Sequence, residues 1–517
     1  MTVPIQPVLT PGSKSHTTIP PHVATWGSLP WELRQMIIQT IARQTSGWGA
    51  CASVCKEWQA ILEKESFRQL KLQVSCLDDI EAMISVKQAQ LVRQIWLNIE
   101  LKPYTCRSCQ TTESYSWACE DGRVARRAIT KLFSILSQWP VVEGAELTLE
   151  LSIQSPSDKE HCFKNLYFGG VGEDEDLKFD RPGHRLPHLD SKHSFHDSQH
   201  GWMNGRQVDA PNGNSFSRIF QPLHLTFKEG LPQVKAVTRF VLRRQCRRWI
   251  EPQVIGFLFD KLPRLQSLIY EPWQSLDKMA QDFIWDSEYL KLIESHLPKA
   301  LKKVSVFEET NEEYITSFRP ISPITAPDII RITSPTVSAA FAKRSLSLEQ
   351  LSVTFLIEAS DFFRSRQQDW VWSHMRFLTL TSRILTQTEN LKIENLLRNA
   401  ATTALSIPHL HTMVIWNGRK GEAFKFFYHA KSSYTCIGWQ GTWDWKLEPS
   451  VIRNWQRVAD QNTRHDLKII PEPLITTSID SHAHAIELLD LPSEVVHPVS
   501  LLQMQREAES SWYKTQT

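Results

Sequence analysis

The sequence predicts a mixed α/β protein in which a short all-helical N-terminal segment precedes an irregular solenoid of short strands and helices. Three observations predict it. Residues 29–67 carry helical apolar spacing interrupted by one Gly-bearing turn. An apolar triple of fixed spacing then recurs between residues 67 and 415. Segments of helical period lie between many of these triples, so strand and helix alternate.

Composition sets the limits. A chain of 517 residues with 41% hydrophobic residues buries a large core and is expected to hold more than one structural unit. The 58 Lys and Arg nearly cancel the 56 Asp and Glu, so no bulk field draws the chain to nucleic acid or to an acidic membrane, and any basic site must be local. Nine dispersed cysteines, an odd number, are expected as thiols in a reducing compartment, cytoplasm or nucleus. The Pro-rich lead, residues 1–25, has no basic flank and apolar stretch of a signal peptide, and no run reaches the roughly 18 apolar residues of a membrane span. Of the 19 tryptophans, Trp96, Trp139, Trp372 and Trp416 fall where gaps between core layers need large aromatics.

The helical segment spans residues 26–72. Leu33, Met36, Ile37 and Ile41 recur at helical spacing. Ser28 is placed to cap this helix, Pro30 suits its first turn because a missing N–H costs nothing there, and Glu32 faces the positive end of the dipole. The turn Ser46-Gly47-Trp48-Gly49 leads to a second apolar segment, Ala50 to Trp58, which continues through Ile61 and Leu62 to Phe67. Three small helices would bury these faces together.

Leu29-Pro30-x-Glu32-Leu33, the pair Ile37-Ile38, the stretch Ala52 to Trp58 and the closing Phe67 are similar to an F-box. That resemblance implies a compact helical module binding the adaptor Skp1, and through it a cullin-RING ubiquitin ligase. The contact residues it implies are Leu29, Pro30, Leu33, Ile37, Val54, Cys55 and Trp58. The chain departs from the usual F-box pattern between Gln44 and Trp48.

Beyond it, an apolar residue, two variable positions, a second apolar residue, one variable position and a third apolar residue recur. The matches are Phe67-Leu70-Leu72, Val92-Ile95-Leu97, Val237-Phe240-Leu242, Leu265-Leu268-Tyr270, Leu301-Val304-Val306, Leu348-Leu351-Val353, Met375-Leu378-Leu380 and Leu410-Met413-Ile415. The last two positions of each alternate as in a half-buried strand. Helical spacing intervenes, as with Ile129, Leu132, Phe133 and Leu136, or Leu396 and Leu397. After Val237 the repeats start roughly 25 to 50 residues apart, which suits a leucine-rich-repeat-like solenoid with irregular turns; an ordinary α/β domain is the alternative. The solenoid is expected over residues 73–154 and 216–445, with residues 446–517 capping one end and the N-terminal module closing the other. Residues 155–215, with the acidic run Glu173 to Asp176 and little periodicity, read as a mobile surface insertion. The stretches Phe240 to Trp249, Leu262 to Trp273 and Val495 to Leu501 also resemble a group of uncharacterised fungal F-box proteins with no assigned target.

Four constellations bear on chemistry. Cys106 and Cys109, three apart, with Cys119 beyond them, resemble part of a zinc knuckle whose fourth ligand is missing locally; His161 or Cys162 would have to return, and a loop of reduced thiols without cofactor is the alternative. His184, His188, His193, His196 and His200 share no helical face and read as a solvated loop. His482 and His484 sit near the C-terminus without obvious partner carboxylates. Arg243, Arg244, Arg247 and Arg248 with Trp249 form the sharpest basic patch, read either as solvated arginines pairing with Glu251 or Asp260, or as a phosphate grip.

No phosphate-binding, dinucleotide-binding or nucleophile-elbow motif occurs, so no catalytic residue is named. The expectation is a non-enzymatic adaptor binding Skp1 through the F-box and an unidentified protein target through the solenoid, with neither membrane nor nucleic acid as partner. The alternative is a metal- or nucleic-acid-binding module using the cysteines and arginines.

Overall fold

The structure is a computed structural model that describes residues 25–44, 49–167, 196–309, 314–315 and 331–509. The Pro-rich lead up to residue 24, the loop at 45–48, the acidic run at 173–176 and His184, His188 and His193 lie outside the described residues. The chain divides into two compact units, Met1–Phe67 and Arg68–Thr517.

The first unit contains helices Trp31–Gln44, Gly49–Ala52 and Lys56–Ser66. Ile38, Ala42, Ile61 and Leu62 close its core, with Trp26, Cys51, Ala52 and Trp58 packed against them. The Ser28 hydroxyl donates to the Thr25 carbonyl at 2.7 Å and does not cap the first helix. The Pro30 carbonyl instead accepts from the Arg34 amide at 3.1 Å, so Pro30 itself stands at the cap. The unit ends at Phe67, earlier than the expected 72, because the next residues extend into the sheet of the second unit.

The second unit is mixed α/β. Its strands are β1 (Gln69–Gln73), β2 (Gln94–Glu100), β3 (Thr148–Gln154), β4 (Trp202–Met203), β5 (Arg206–Gln207), β6 (Arg239–Leu242) and β7 (Ser267–Tyr270). They continue with β8 (Lys303–Phe307), β9 (Gln350–Thr354), β10 (Phe377–Thr381), β11 (Thr412–Arg419), β12 (Glu422–Ala430), β13 (Thr435–Gly441) and β14 (Leu467–Ile469). Apart from the ribbon β4–β5, all lie in one twelve-stranded sheet in chain order. From β1 to β11 each strand pairs parallel to the one before; β12 and β13 then run as antiparallel neighbours, and β14 is parallel to β13.

The recurring triple becomes a physical row. Leu70, Ile95, Leu149, Phe240, Leu268, Val304, Leu351, Leu378 and Met413 are successive register partners across nine strands. Apart from the half-buried Phe67, the first residues of the triples, among them Val237, Leu265, Leu301, Leu348 and Met375, are buried just before each strand. Where these strands begin, two consecutive amides often converge on one carbonyl of the previous strand, as Gln266 and Ser267 do on Thr238 at 2.7 and 3.1 Å. Because crossovers between parallel strands are right-handed and the strand order never reverses, the helices collect on one face. Phe240 meets Phe259 of helix Pro252–Phe259 there, at 5.4 Å between rings.

Side chains alternate across the sheet, so the opposite face takes the residues between the apolar positions. On β2 and β3 these are polar and buried: Trp96 Nε1 donates to Ser152 Oγ at 2.8 Å, and Ser152 donates to Asn98 Oδ1 at 3.0 Å. Farther along, the same face keeps buried Ser352, Thr354, Thr379 and Thr381 but also carries an apolar cluster, with Phe307, Val414 and Trp416 packed against Ile479, Ala483, Ile486 and Val495.

That cluster corrects the expected role of residues 446–517. Helix Pro449–Asn462 and β14 do extend the end of the sheet, with Trp455 against Phe426 and Tyr428 at 5.3 and 5.2 Å between rings. The rest turns back: helices His482–Leu488 and Pro498–Glu509 cross the face opposite the helices, where the Glu494 carbonyl accepts from Ser305 at 2.8 Å and Glu271 accepts from the His497 amide at 2.7 Å. The expected mobile insertion is corrected in part too. Its described flanks are packed, with Cys162, Phe163, Leu166 and Phe216 in one buried cluster and Trp202 wholly buried.

Candidate functional site

The four arginines are not a surface patch. Arg243, Arg244, Arg247 and Arg248 lie on the loop after β6, and all are buried. Arg243 pairs with Glu150 at 2.6 Å, and Arg244 with Glu309 and Glu507, both at 2.7 Å. Arg247 pairs with Glu507 at 2.5 Å, and Arg248 reaches Glu113 at 3.2 Å, Asp121 at 3.4 Å and Asp158 at 3.5 Å. The guanidinium groups of Arg244 and Arg247 also lie 4.9 and 5.5 Å from the Trp273 ring. Neither expected partner, Glu251 or Asp260, is used for these pairs, and a side chain sealed from solvent presents no charge to a phosphate. The residues act in the core, where each buried charge needs a partner.

The carboxylates respond to this setting. Burial alone would raise Glu309, but Arg244 and His482 outweigh it and hold the carboxyl down at about 2. His482 Nε2 lies 3.0 Å from Glu309 Oε1, so one member of the C-terminal histidine pair has a carboxylate partner that sequence spacing did not reveal. Asp121 behaves oppositely: burial pushes it up to about 6 against the pull of Arg248, and Glu113 and Asp158 add like charge.

The cysteine cluster closes in an unexpected way. Cys106 and Cys109 lie on the turn after β2, His161 follows β3, and His200 ends the short helix Ser198–His200 before β4. One ligand atom from each of these four residues lies within 4.8 Å of every other. His200 Nε2 is 3.3 Å from Cys106 Sγ and 3.4 Å from Cys109 Sγ. Its other nitrogen, Nδ1, meets Asp197 Oδ2 at 2.8 Å, and Lys164 Nζ holds the same oxygen at 3.0 Å. The His161 ring bonds the Tyr104 backbone, while its Nε2 is buried with no hydrogen-bond partner among the described residues. Burial, with Cys162 and Cys106 nearby, pushes the Cys109 thiol up to about 11.

Two expectations change here. Cys119 is outside the group: it sits on helix Tyr115–Ser137 and interacts with Tyr115. His200, read with its neighbours as solvated, is buried. The only advance signal for it was its place among histidines; nothing in the spacing singled it out from exposed His196.

In the N-terminal unit, the residues assigned to Skp1 contact fall into two groups. Pro30, Leu33, Ile37, Val54 and Cys55 are exposed, with Leu33 at 46%, Ile37 at 39% and Val54 at 64%. Leu29 and Trp58 are half-buried, and the Trp58 ring packs tilted against Trp26 at 5.4 Å between rings. Met36, at 60% exposure, and Trp31, at 48%, add to the exposed apolar set and were not assigned.

Among the described residues of the second unit, Arg239, Gln266, Lys302, Glu494 and His497 border an open cleft of about 430 Å3.

A family of unknown function, DUF6546, has a family model that matches residues 296–497, which run from just before β8 to the crossing segment. No curated protein matches the chain. Among the described residues no helix is long and apolar enough to cross a membrane.

Proposed function

We propose that the chain is a non-catalytic adaptor whose N-terminal unit is an F-box binding Skp1 and whose second unit, a leucine-rich-repeat-like solenoid, holds a protein target near a cullin-RING ubiquitin ligase. The observation that carries this reading is the exposed apolar face of the N-terminal unit. The unit closes its own core on Ile38, Ala42, Ile61 and Leu62, yet Leu33, Met36 and Ile37 stand out to solvent one helical turn apart, with Val54 beyond them. A small unit with a satisfied core has no folding use for such residues, and apolar anchors at helical spacing are what a helix-binding groove takes.

The in-order parallel sheet with helices on one face supports the solenoid reading, because each strand–helix step stacks on the last. In this role the protein supplies no reacting group. Its contribution is proximity, raising the effective concentration of a target lysine beside the transferring machinery.

The test is capture of purified Skp1 by the full-length chain, comparing wild type with a Leu29→Ala, Pro30→Ala, Leu33→Asp variant. Capture by the wild type and loss in a variant with unchanged circular dichroism supports the adaptor role. A folded wild type that fails to retain Skp1 removes it.

A further inference from the structure

Two thiols and two imidazoles from three separate loops converge on a point, and the protein's own hydrogen bonds leave that point unfilled. In a tetrahedral zinc site, Zn–S lengths near 2.3 Å and Zn–N lengths near 2.0 Å place sulfur and nitrogen ligands about 3.5 Å apart. The Cys106 and Cys109 sulfurs stand 3.3 and 3.4 Å from His200 Nε2, which matches that edge. The second observation is His161: one side of its ring is tied to the Tyr104 backbone, and its buried Nε2 has no partner among the described residues. A buried imidazole nitrogen without a hydrogen bond is costly, and an ion at the centre would satisfy it.

We propose that Cys106, Cys109, His161 and His200 bind one zinc ion in a closed tetrahedral site. Two sulfurs with two imidazole nitrogens at four-coordinate spacing is a donor set that suits zinc, and four protein ligands leave no open position for substrate, so the site is structural. On binding, each thiol releases its proton to solvent and its sulfur takes the ion, so the two thiolates neutralise the dication. The surroundings orient the ligands: Asp197 bonds the far nitrogen of His200, and Gln199 Nε2 donates to Cys106 Sγ at 3.2 Å.

The ion would join three parts of the chain. It connects the turn after β2, the segment after β3 and the returning flank of the insertion at 196–207. The Cys162 carbonyl, next to His161, already accepts from Trp202 Nε1 at 3.3 Å and Gln207 Nε2 at 2.7 Å. Zinc at the cluster therefore clamps the described base of the insertion against the sheet. The inference does not depend on the adaptor reading.

The experiment uses full-length protein purified without added metal, with zinc measured by elemental analysis and cobalt then substituted for it. One zinc per chain is expected, with a cobalt spectrum showing tetrahedral ligand-field bands and thiolate charge transfer. Cys109→Ser and His200→Asn should lose the metal, Cys119→Ser should keep it, and Asp197→Asn should weaken affinity roughly 10- to 100-fold. Wild-type protein without zinc that also gives no tetrahedral cobalt spectrum would overturn the site. So would full zinc retention in the Cys109 and His200 variants, or a Cys106–Cys109 disulfide in protein prepared under reducing conditions. Should a variant fail to fold, the wild-type cobalt spectrum still decides.

Discussion

Glu507, on the C-terminal helix, forms a 2.7 Å ion pair with Arg244, 263 residues earlier in the chain, and both side chains are almost wholly buried. The same carboxylate also takes Arg247 at 2.5 Å, so one acid is shared by two arginines in the loop after β6.

Removing Glu507 leaves two buried guanidinium groups short of charge. Glu507→Ala is expected to destabilise the second unit by about 3–5 kcal/mol, the usual cost of breaking a buried pair from one side. A double change, Glu507→Leu with Arg244→Met, should cost less than the sum of the two single changes, because the Arg244–Glu507 pair is then removed from both sides, although Arg247 still loses its share of the carboxylate. Denaturant midpoints of the wild type, Glu507→Leu, Arg244→Met and the double variant check it, and additivity of the two single changes would show that the pair is not coupled.

Two buried acids should give opposite pH dependences. Glu309 is depressed to about 2 from an ordinary 4.5, so its contribution is full above pH 4.5 and is lost as pH falls toward 2; Glu309→Gln should flatten the stability loss between pH 5 and 3. Asp121 is raised to about 6 from an ordinary 3.8, so the folded state keeps a proton that the unfolded chain has already released. Its contribution is full below pH 3.8 and is lost as pH rises to 6. Asp121→Asn should remove that decline. Urea titrations at each pH read both effects.

The row of strands was largely legible from one pattern, and the exceptions have physical reasons. β3 escapes the triple because Glu146 stands where the first apolar residue should be, yet Leu149 joins the row between Ile95 and Phe240. β12 and β13 are antiparallel neighbours and do not share the crossover rhythm that generates the triple. The arginines were read as surface because charge is normally solvated; their acids come from Glu113, Glu150, Glu309 and Glu507, far off in the chain. For the cluster of thiols and imidazoles, the Cys106–Cys109 spacing and His161 as one of two possible returning residues were visible, but His200 was not, because it is brought there by the end of the insertion.

Gly122, inside helix Tyr115–Ser137, should resist an otherwise favourable change. Alanine normally improves a helix interior by roughly 0.5–1 kcal/mol over glycine. A Cβ here would stand 2.3 Å from the His224 carbonyl oxygen, so Gly122→Ala must push backbone apart and is expected to cost about 1–3 kcal/mol. A higher denaturation midpoint in the variant would contradict the close approach.

The N-terminal unit should separate stability from surface. Leu62 is completely buried, and Leu62→Ala is expected to cost that unit about 2–5 kcal/mol. Leu33→Ala, on the exposed face, should stay within about 0.5 kcal/mol. Hydrogen exchange in residues 31–66 distinguishes the two, and equal effects would mean that Leu33 belongs to the core.

The crossing C-terminal segment also bears on the order in which the molecule can be completed. Strands that pair with their predecessors in sequence can assemble as the chain leaves the ribosome, each new one finding its template already made. The acid that Arg244 and Arg247 share follows them by 263 and 260 residues, after every strand of the sheet. Until Glu507 is made, the loop after β6 lacks it, so the row of strands can be complete while two buried arginines still wait for the carboxylate they share.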